Sequence, residues 1–196
     1  YSNGALEFGG AVFFNKESSE DRNSKFVNNN ASKSGGAVYI SNRFCIVDNS
    51  TFIMNRANYA GAVYFSSYKH ELNNSYFEEN NAVVDGGAVF LGSYGTVVNN
   101  TDFVGNSADR GGALYNYVTG TSVTTPTLIT NSRFNYNNAT AGGAMASFAK
   151  FINMTNVNFA FNKASYGSAI FADRTSYTIS DSVFLNNTLA DRKSVV

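Results

Sequence analysis

The 196-residue chain has one cysteine, one proline, one histidine and no tryptophan. Cys45 alone can form neither an internal disulfide nor a cysteine-based zinc cluster, and it reads as a small buried apolar residue. A histidine-based triad would need His70 itself, which reads as an outward strand residue beside Glu71. Net charge is also lacking: 14 basic and 14 acidic residues give a formal balance of zero. No field therefore favours nucleic acid or an anionic membrane surface. No apolar run approaches the roughly 18–20 residues of a membrane span, and no signal peptide is visible. The first residue is Tyr1 rather than Met, as expected of a processed product or an excerpt.

Asparagine, glycine and phenylalanine are present in quantity, and they recur. Phe26, Phe52, Phe77, Phe103, Phe134, Phe159 and Phe184 lie 26, 25, 26, 31, 25 and 25 residues apart. Three residues after them stand Asn29, Asn55, Asn80, Asn106, Asn137, Asn162 and Asn187. Three residues before them stand Asn23, Asn49, Asn74, Asn100, Asn131, Asn156 and Asp181. Five after come Ala31, Ala57, Ala82, Ala108, Ala139 and Ala164, with Leu189 breaking the run. A small-residue block completes the unit: GGAV at Gly9, Gly35 and Gly86, AGAV at Ala60, GGAL at Gly111, GGAM at Gly142 and GSAI at Gly167. A large residue follows two places after its Ala at Phe13, Tyr39, Tyr64, Phe90, Tyr115 and Phe171, and only Ala146 departs. A repeat in this register cannot come from composition alone, and such a period signals a solenoid.

The apolar pieces are short, rich in Val, Ile, Phe and Tyr, and separated by Asn, Gly and Ser, which predicts strands and turns rather than helices. Each unit holds about three strand-like pieces, which is one coil of a single-stranded parallel β-helix with about seven coils of about 25 residues. Like residues of successive coils then lie over one another, about 4.8 Å apart along the axis. Stacked Asn amides are expected to form a turn ladder and to tolerate left-handed backbone, while stacked Phe rings fill the interior. The Gly pair permits a sharp corner and close backbone approach.

One interval is long, and its surplus of about six residues lies in YNYVTGTSVTTPTLIT, residues 115–130. This is expected to bulge from a corner as an insertion loop and supplies a candidate recognition segment at Thr119, Thr121, Thr124, Thr125 and Thr127. Tyr1 sits where an anchor Phe is due, and SVV ends the chain where the next GGAV is due. Neither end reads as a cap, so residues 1–196 are expected to be a single domain excerpted from a longer solenoid, or a subunit whose ends are covered by stacking partners.

With FxxN and GGA[VLI] alternating at these spacings (FVNN at Phe26, FIMN at Phe52, FEEN at Phe77, FVGN at Phe103, FNYN at Phe134, FAFN at Phe159, FLNN at Phe184), nearly the whole chain resembles the polymorphic outer membrane protein repeat of chlamydial surface proteins and adhesin-like relatives. The resemblance implies a right-handed parallel β-helix, of pectin-lyase-like architecture, secretion, and a structural or adhesive role at the cell surface. Together with the open ends and the lack of an acid column, it makes a non-enzymatic adhesin stalk or filament subunit the leading expectation. Expected partners are a further copy or neighbouring coils end to end, and a host-cell or glycan ligand. No cofactor is implied. Bacterial members usually carry an outer-membrane barrel, and nothing here resembles one.

Parallel β-helices also host polysaccharide lyases and hydrolases, the alternative reading. That chemistry needs carboxylates converging from adjacent coils. Glu78 and Glu79 have Ile53 and Met54 on one side and Val104 and Gly105 on the other, so no acid column forms. The pairs Asp21-Arg22, Asp109-Arg110, Asp173-Arg174 and Asp191-Arg192 fall in different registers and read as surface charge pairing. The acceptor rule N-x-[ST] is met at Asn30, Asn49, Asn73, Asn99, Asn138, Asn153 and Asn186, against roughly five expected by chance from the composition. Ice binding would need Thr in one flat register, which a single Thr-rich loop does not provide.

Overall fold

The computed structural model describes residues 2–92, 94–118 and 125–189. No helix occurs among them, and parallel pairing builds a β-solenoid of about seven coils. Three sheets of seven strands run along it. One carries the anchor phenylalanines, from Lys25–Val27 to Val183–Leu185. The second precedes it in each coil, from Glu20–Arg22 to Ser176–Ser180. The third follows the Gly pair, from Val12–Phe14 to Ile170–Ala172.

Each coil also has a fourth piece, where the sequence suggests three. It follows the ladder Asn, as in Asn30–Ala31, Arg56–Tyr59 and Asn81–Asp85, and resumes at Asn138–Ala141 after bridges through Ser107. Its inward apolar residues are only Ala31, Ala57, Ala82, Ala139 and Ala164, all buried. So short and small a segment gives no alternating apolar pattern to read.

The interior is a set of columns. Phe26, Phe52, Phe77, Phe103, Phe134, Phe159 and Phe184 pair in register. Their successive ring centroids lie 4.9, 4.7, 5.1, 4.6, 5.0 and 4.9 Å apart, with nearly parallel planes. That separation is the spacing of neighbouring strands, so the sheet itself sets the stacking distance. Opposite them run Val47, Leu72, Val98, Ile129 and Met154, with Val38, Val63, Val89, Leu114 and Met145 on the third sheet.

Beside the phenylalanines runs the Asn ladder. The backbone N–H and the side-chain Nδ2 of Asn80 both donate to Oδ1 of Asn106, at 2.9 and 3.0 Å. The Asn106 Nδ2 also donates to the Phe77 carbonyl at 3.1 Å, and Asn106 repeats the whole pattern toward Asn137. The same bonds join Asn29, Asn55, Asn137, Asn162 and Asn187. Asn3 starts the ladder by donating to Asn29. Its register puts the anchor position one place before Tyr1, which corrects the alignment of Tyr1 with the phenylalanines; Tyr1 itself lies outside the described residues.

Left-handed backbone is expected at the ladder Asn and is found elsewhere. It falls three residues before each Phe, at Asn23, Asn49, Asn74, Asn100, Asn131, Asn156 and Asp181. It falls again two residues after each Phe, at Asn28, Met54, Glu79, Gly105, Tyr136, Phe161 and Asn186. The left-handed residues donate their N–H groups to backbone carbonyls of the next coil, as Glu79 does to Val104, whereas the ladder Asn donates to a side-chain Oδ1. A third left-handed column is the first residue of each small block, including Ala60.

The second glycine of each block is held by closeness rather than by dihedral angle. A Cβ built on Gly87 would lie 1.9 Å from the Gly112 carbonyl oxygen, whereas one on Gly105 meets nothing nearer than the Glu79 side chain at 3.6 Å. Gly87→Ala is therefore expected to abolish folding or cost several kcal/mol, and Gly105→Ala only about 1 kcal/mol from its left-handed backbone. Urea unfolding midpoints of the two variants check this, and equal losses would contradict it. Asn106→Ala removes the acceptor of two Asn80 donors and the donor to the Phe77 carbonyl. A loss of about 3 kcal/mol or more is expected in the same measurement.

Candidate functional site

The Gly-Gly-Ala corner folds the wall inward, and two outward columns face each other across it. The residues just before each block are Phe8, Ser34, Tyr59, Asp85, Arg110, Ala141 and Tyr166, bridged or paired coil to coil. The residues just after are Phe13, Tyr39, Tyr64, Phe90, Tyr115, Ala146 and Phe171. The second column is a ladder of rings on the outer wall, with centroids 5.3, 5.0 and 4.5 Å apart from Phe13 to Phe90 and planes within 12°. Phe90 and Tyr115 follow at 5.1 Å. The departure at Ala146 is repaired locally. Phe148, two residues on and on the same face of its strand, packs against Tyr115 at 5.7 Å and Phe171 at 6.0 Å.

In the middle coils the columns enclose an open cleft of about 410 Å³ lined by Ser34, Tyr59, Tyr64, Asp85, Phe90, Arg110, Tyr115 and Tyr117. Its polar centre is an ion pair between adjacent coils. Arg110 Nε and Nη2 donate to the two Asp85 oxygens at 2.7 and 2.9 Å, a bidentate fork. The Asp85 side chain is only 4% exposed and that of Arg110 38%, so the carboxylate is the buried base and the guanidinium its wet edge. Burial pushes the Asp85 carboxyl up from its ordinary value, and the Arg110 bond opposes this. The guanidinium lies over the rings of Tyr115 and Phe148, 5.1 and 5.7 Å from their centroids. Burial raises the Tyr64 and Tyr115 hydroxyls to about 12, so both remain protonated donors at neutral pH. Neither hydroxyl has a hydrogen-bond partner among the described residues.

Sequence reasoning missed this cleft. The sequence sets Arg110 beside Asp109, whereas the structure joins it to Asp85, one coil away. An irregularity between Ala82 and Asp85 brings Asp85 into the column of Tyr59. The signal was available in the residue preceding each Gly block.

The other candidates are placed as follows. Asn30, Asn49, Asn138, Asn153 and Asn186 are exposed, and Asn73 and Asn99 are half-buried, distributed over several faces. Thr119, Thr121 and Thr124 lie outside the described residues, and Thr125 is exposed. Thr127 is buried, and its Oγ1 accepts a bond from Asn116 Nδ2 at 3.1 Å. It belongs to the anchored base of the insertion rather than to a recognition surface, because the strand Thr127–Thr130 has already rejoined the wall. Arg22 pairs with Glu20 and Asp48, while its neighbour Asp21 turns inward and is nearly buried. Cys45 is buried and free.

His70 is a correction. It is fully buried at the corner between the third and second sheets, its ring 4.8 Å from that of Phe65. The Cys45 N–H donates to His70 Nδ1 at 3.3 Å. The strand starts at Glu71, so His70 still belongs to the inward-turning corner.

Fold and cleft define a parallel β-solenoid of repeated coils with a recess lined by aromatic residues and one ion pair on its outer wall. Residues 23–41 match the model of the Chlamydia polymorphic membrane protein (Chlamydia_PMP) repeat, and the solenoid is consistent with a repeat family of that type. The matched span runs from the left-handed Asn23 through Phe26, Asn29 and the Gly35 block to Ser41. Comparison with curated proteins and with solved structures finds no significant match.

Desolvation lowers the His70 pKa to about 4, so the folded chain keeps this imidazole neutral where the unfolded chain, with an ordinary value of 6.5, would protonate it. The contribution is fully present above about pH 6.5 and is lost as pH falls toward 4, to a total of about 3 kcal/mol. The stability difference between the natural chain and His70→Leu should therefore shift against the natural chain by that order between pH 7.5 and pH 4. Urea unfolding at the two pH values checks it, and a constant difference would contradict it.

Proposed function

We propose that the chain is a non-enzymatic, extracellular structural and adhesive repeat module, serving as an adhesin stalk or as a subunit of a surface filament. The observation that carries this reading is the match of residues 23–41 to a repeat of Chlamydia polymorphic membrane proteins, in a chain whose other coils share the same unit. The family points to a surface-associated, adhesin-like protein. A stiff wall of stacked coils supports a role that is mainly geometric, and the cleft gives it a place to hold a partner. End-to-end stacking with further copies or further coils is part of the proposal, since parallel sheets continue by adding strands.

The polysaccharide-active alternative finds less support. Glu78 pairs in register with Ile53 and Val104, so neighbouring coils bring no second carboxylate beside it. The Asp85 carboxylate is committed to Arg110.

The test couples the chain to beads and presents them to cultured cells. Adherence above albumin-coated beads, reduced by excess soluble chain, is the expected result. Incubation with pectin-like polymers and calcium should leave chain length and unsaturated-uronate absorbance at background. Sustained turnover there, or no adherence to any cell type tried, overturns the proposal. Electron micrographs divide its two forms: uniform filaments indicate a filament subunit, and isolated short rods a stalk.

A further inference from the structure

We infer that the cleft between Tyr59 and Tyr117 is a binding site for neutral, pyranose-based saccharides. The inference rests on the adhesive reading above and names its ligand class.

Ring geometry comes first. From Phe13 to Phe90 the rings of the outer ladder lie face to face and cover one another, and Phe90 and Tyr115 are themselves buried. Tyr59 and Tyr117 differ. Tyr59 stands at 89° to Phe90, with centroids 6.3 Å apart, and is 38% exposed. Its plane therefore runs along the rod where the ladder planes cut across it. Tyr117 lies at the edge of the cluster, 6.2 Å from Tyr115 with planes 17° apart and 6.5 Å from Phe148, and is still 43% exposed because no further ring covers its outer side among the described residues. Two rings with free surface thus stand beside a recess whose floor is polar. A pyranose has the matching anatomy, with an apolar face of C–H groups and a rim of hydroxyls.

Electrostatics then select among ligands. The Arg110 charge is matched by the bidentate Asp85, and Asp109 adds a further negative charge acting on both groups. No net positive charge is left to attract a uronate, sulfate or phosphate. An ammonium ligand is disfavoured for the opposite reason, because the Arg110 guanidinium already occupies the cation position over Tyr115 and Phe148. What remains is hydrogen bonding. Arg110 Nη1 makes no hydrogen bond among the described residues and can donate, as can the protonated Tyr64 and Tyr115 hydroxyls. Such fixed donors suit the hydroxyl oxygens of an uncharged sugar. The volume of about 410 Å³ falls within the roughly 300–1,000 Å³ of small-ligand sites, enough for a short saccharide or a chain end.

The test uses the whole chain. Neutral trisaccharides of glucose, galactose and mannose are titrated by calorimetry and by saturation-transfer NMR, with trigalacturonate and choline as charged comparisons. At least one neutral trisaccharide is expected to bind more tightly than either charged probe. Tyr59→Ala should weaken it roughly tenfold or more, and Tyr117→Ala likewise. Tyr166→Ala removes an exposed ring of the same outward column as Tyr59, beside Ala141 instead of the ion pair, and should leave binding unchanged. Thermal unfolding of each variant confirms that it folds. Preference for trigalacturonate or choline, equal loss in Tyr59→Ala and Tyr166→Ala, or no binding of any neutral trisaccharide overturns the proposal. Bead adherence without saccharide binding would defeat this inference and leave the adhesive reading standing. Saccharide binding without adherence would do the reverse.

Discussion

The structure depends on one constraint: an amide side chain whose donor and acceptor are both used along the rod axis. Asn106 Oδ1 receives two bonds from Asn80, while its Nδ2 reaches both Asn137 and the carbonyl of Phe77. The residue is wholly buried, and every polar atom of the side chain has a partner. A slip of one residue between coils would leave these groups unpaired in a dry interior, at a penalty of about 1–3 kcal/mol each. The ladder therefore fixes register in a way that interchangeable apolar columns cannot. Leu72 over Val98 or Ile129 over Met154 would tolerate sliding far better.

Register in turn explains why the turns can contain unsuited residues. Met54, Glu79, Tyr136 and Phe161 sit in left-handed backbone that most L-residues avoid. Each lies between a core Phe and a ladder Asn, so its backbone is held from both sides. Stacking recovers part of the penalty in one place, where the rings of Tyr136 and Phe161 lie 5.0 Å apart with planes 6° apart. The column three residues before each Phe instead uses Asn almost throughout. Its exposed side chains bond from coil to coil, as Asn100 does to Asn74, so the turn residue adds an outer ladder of its own.

The columns were legible in the sequence because they repeat: the phenylalanines, the ladder from Asn29 to Asn187 and the Gly corner follow from spacing alone. What does not repeat leaves no such trace. His70 stands where Cys45 and Thr96 occupy neighbouring coils, and three such different residues share only their burial. Thr127 reads as loop in sequence because the surplus of residues 115–130 has no internal landmark, whereas the Asn116 bond marks where it ends. Arg110 reads in sequence as the partner of its neighbour Asp109, and nothing in the spacing singles out Asp85. The approach of Asp85 to Arg110 depends on an irregularity after Ala82 that no spacing rule anticipates.

This division bears on function. In a solenoid, a residue that repeats is committed to its neighbours in the stack, as the outer rings from Phe13 to Phe90 are committed to one another. Chemical variety along the outer wall is left to the places where the stack is interrupted. The column before the Gly block is the most interrupted, passing from Ser34 through Tyr59, Asp85 and Arg110 to Ala141. Its middle members carry the one bidentate ion pair with a buried carboxylate among the described residues. The glycines beside them keep the wall indented, since any side chain there would meet the carbonyl of the next coil. Uniform coils thus make the recess, and the variable column gives one stretch of it a chemical identity.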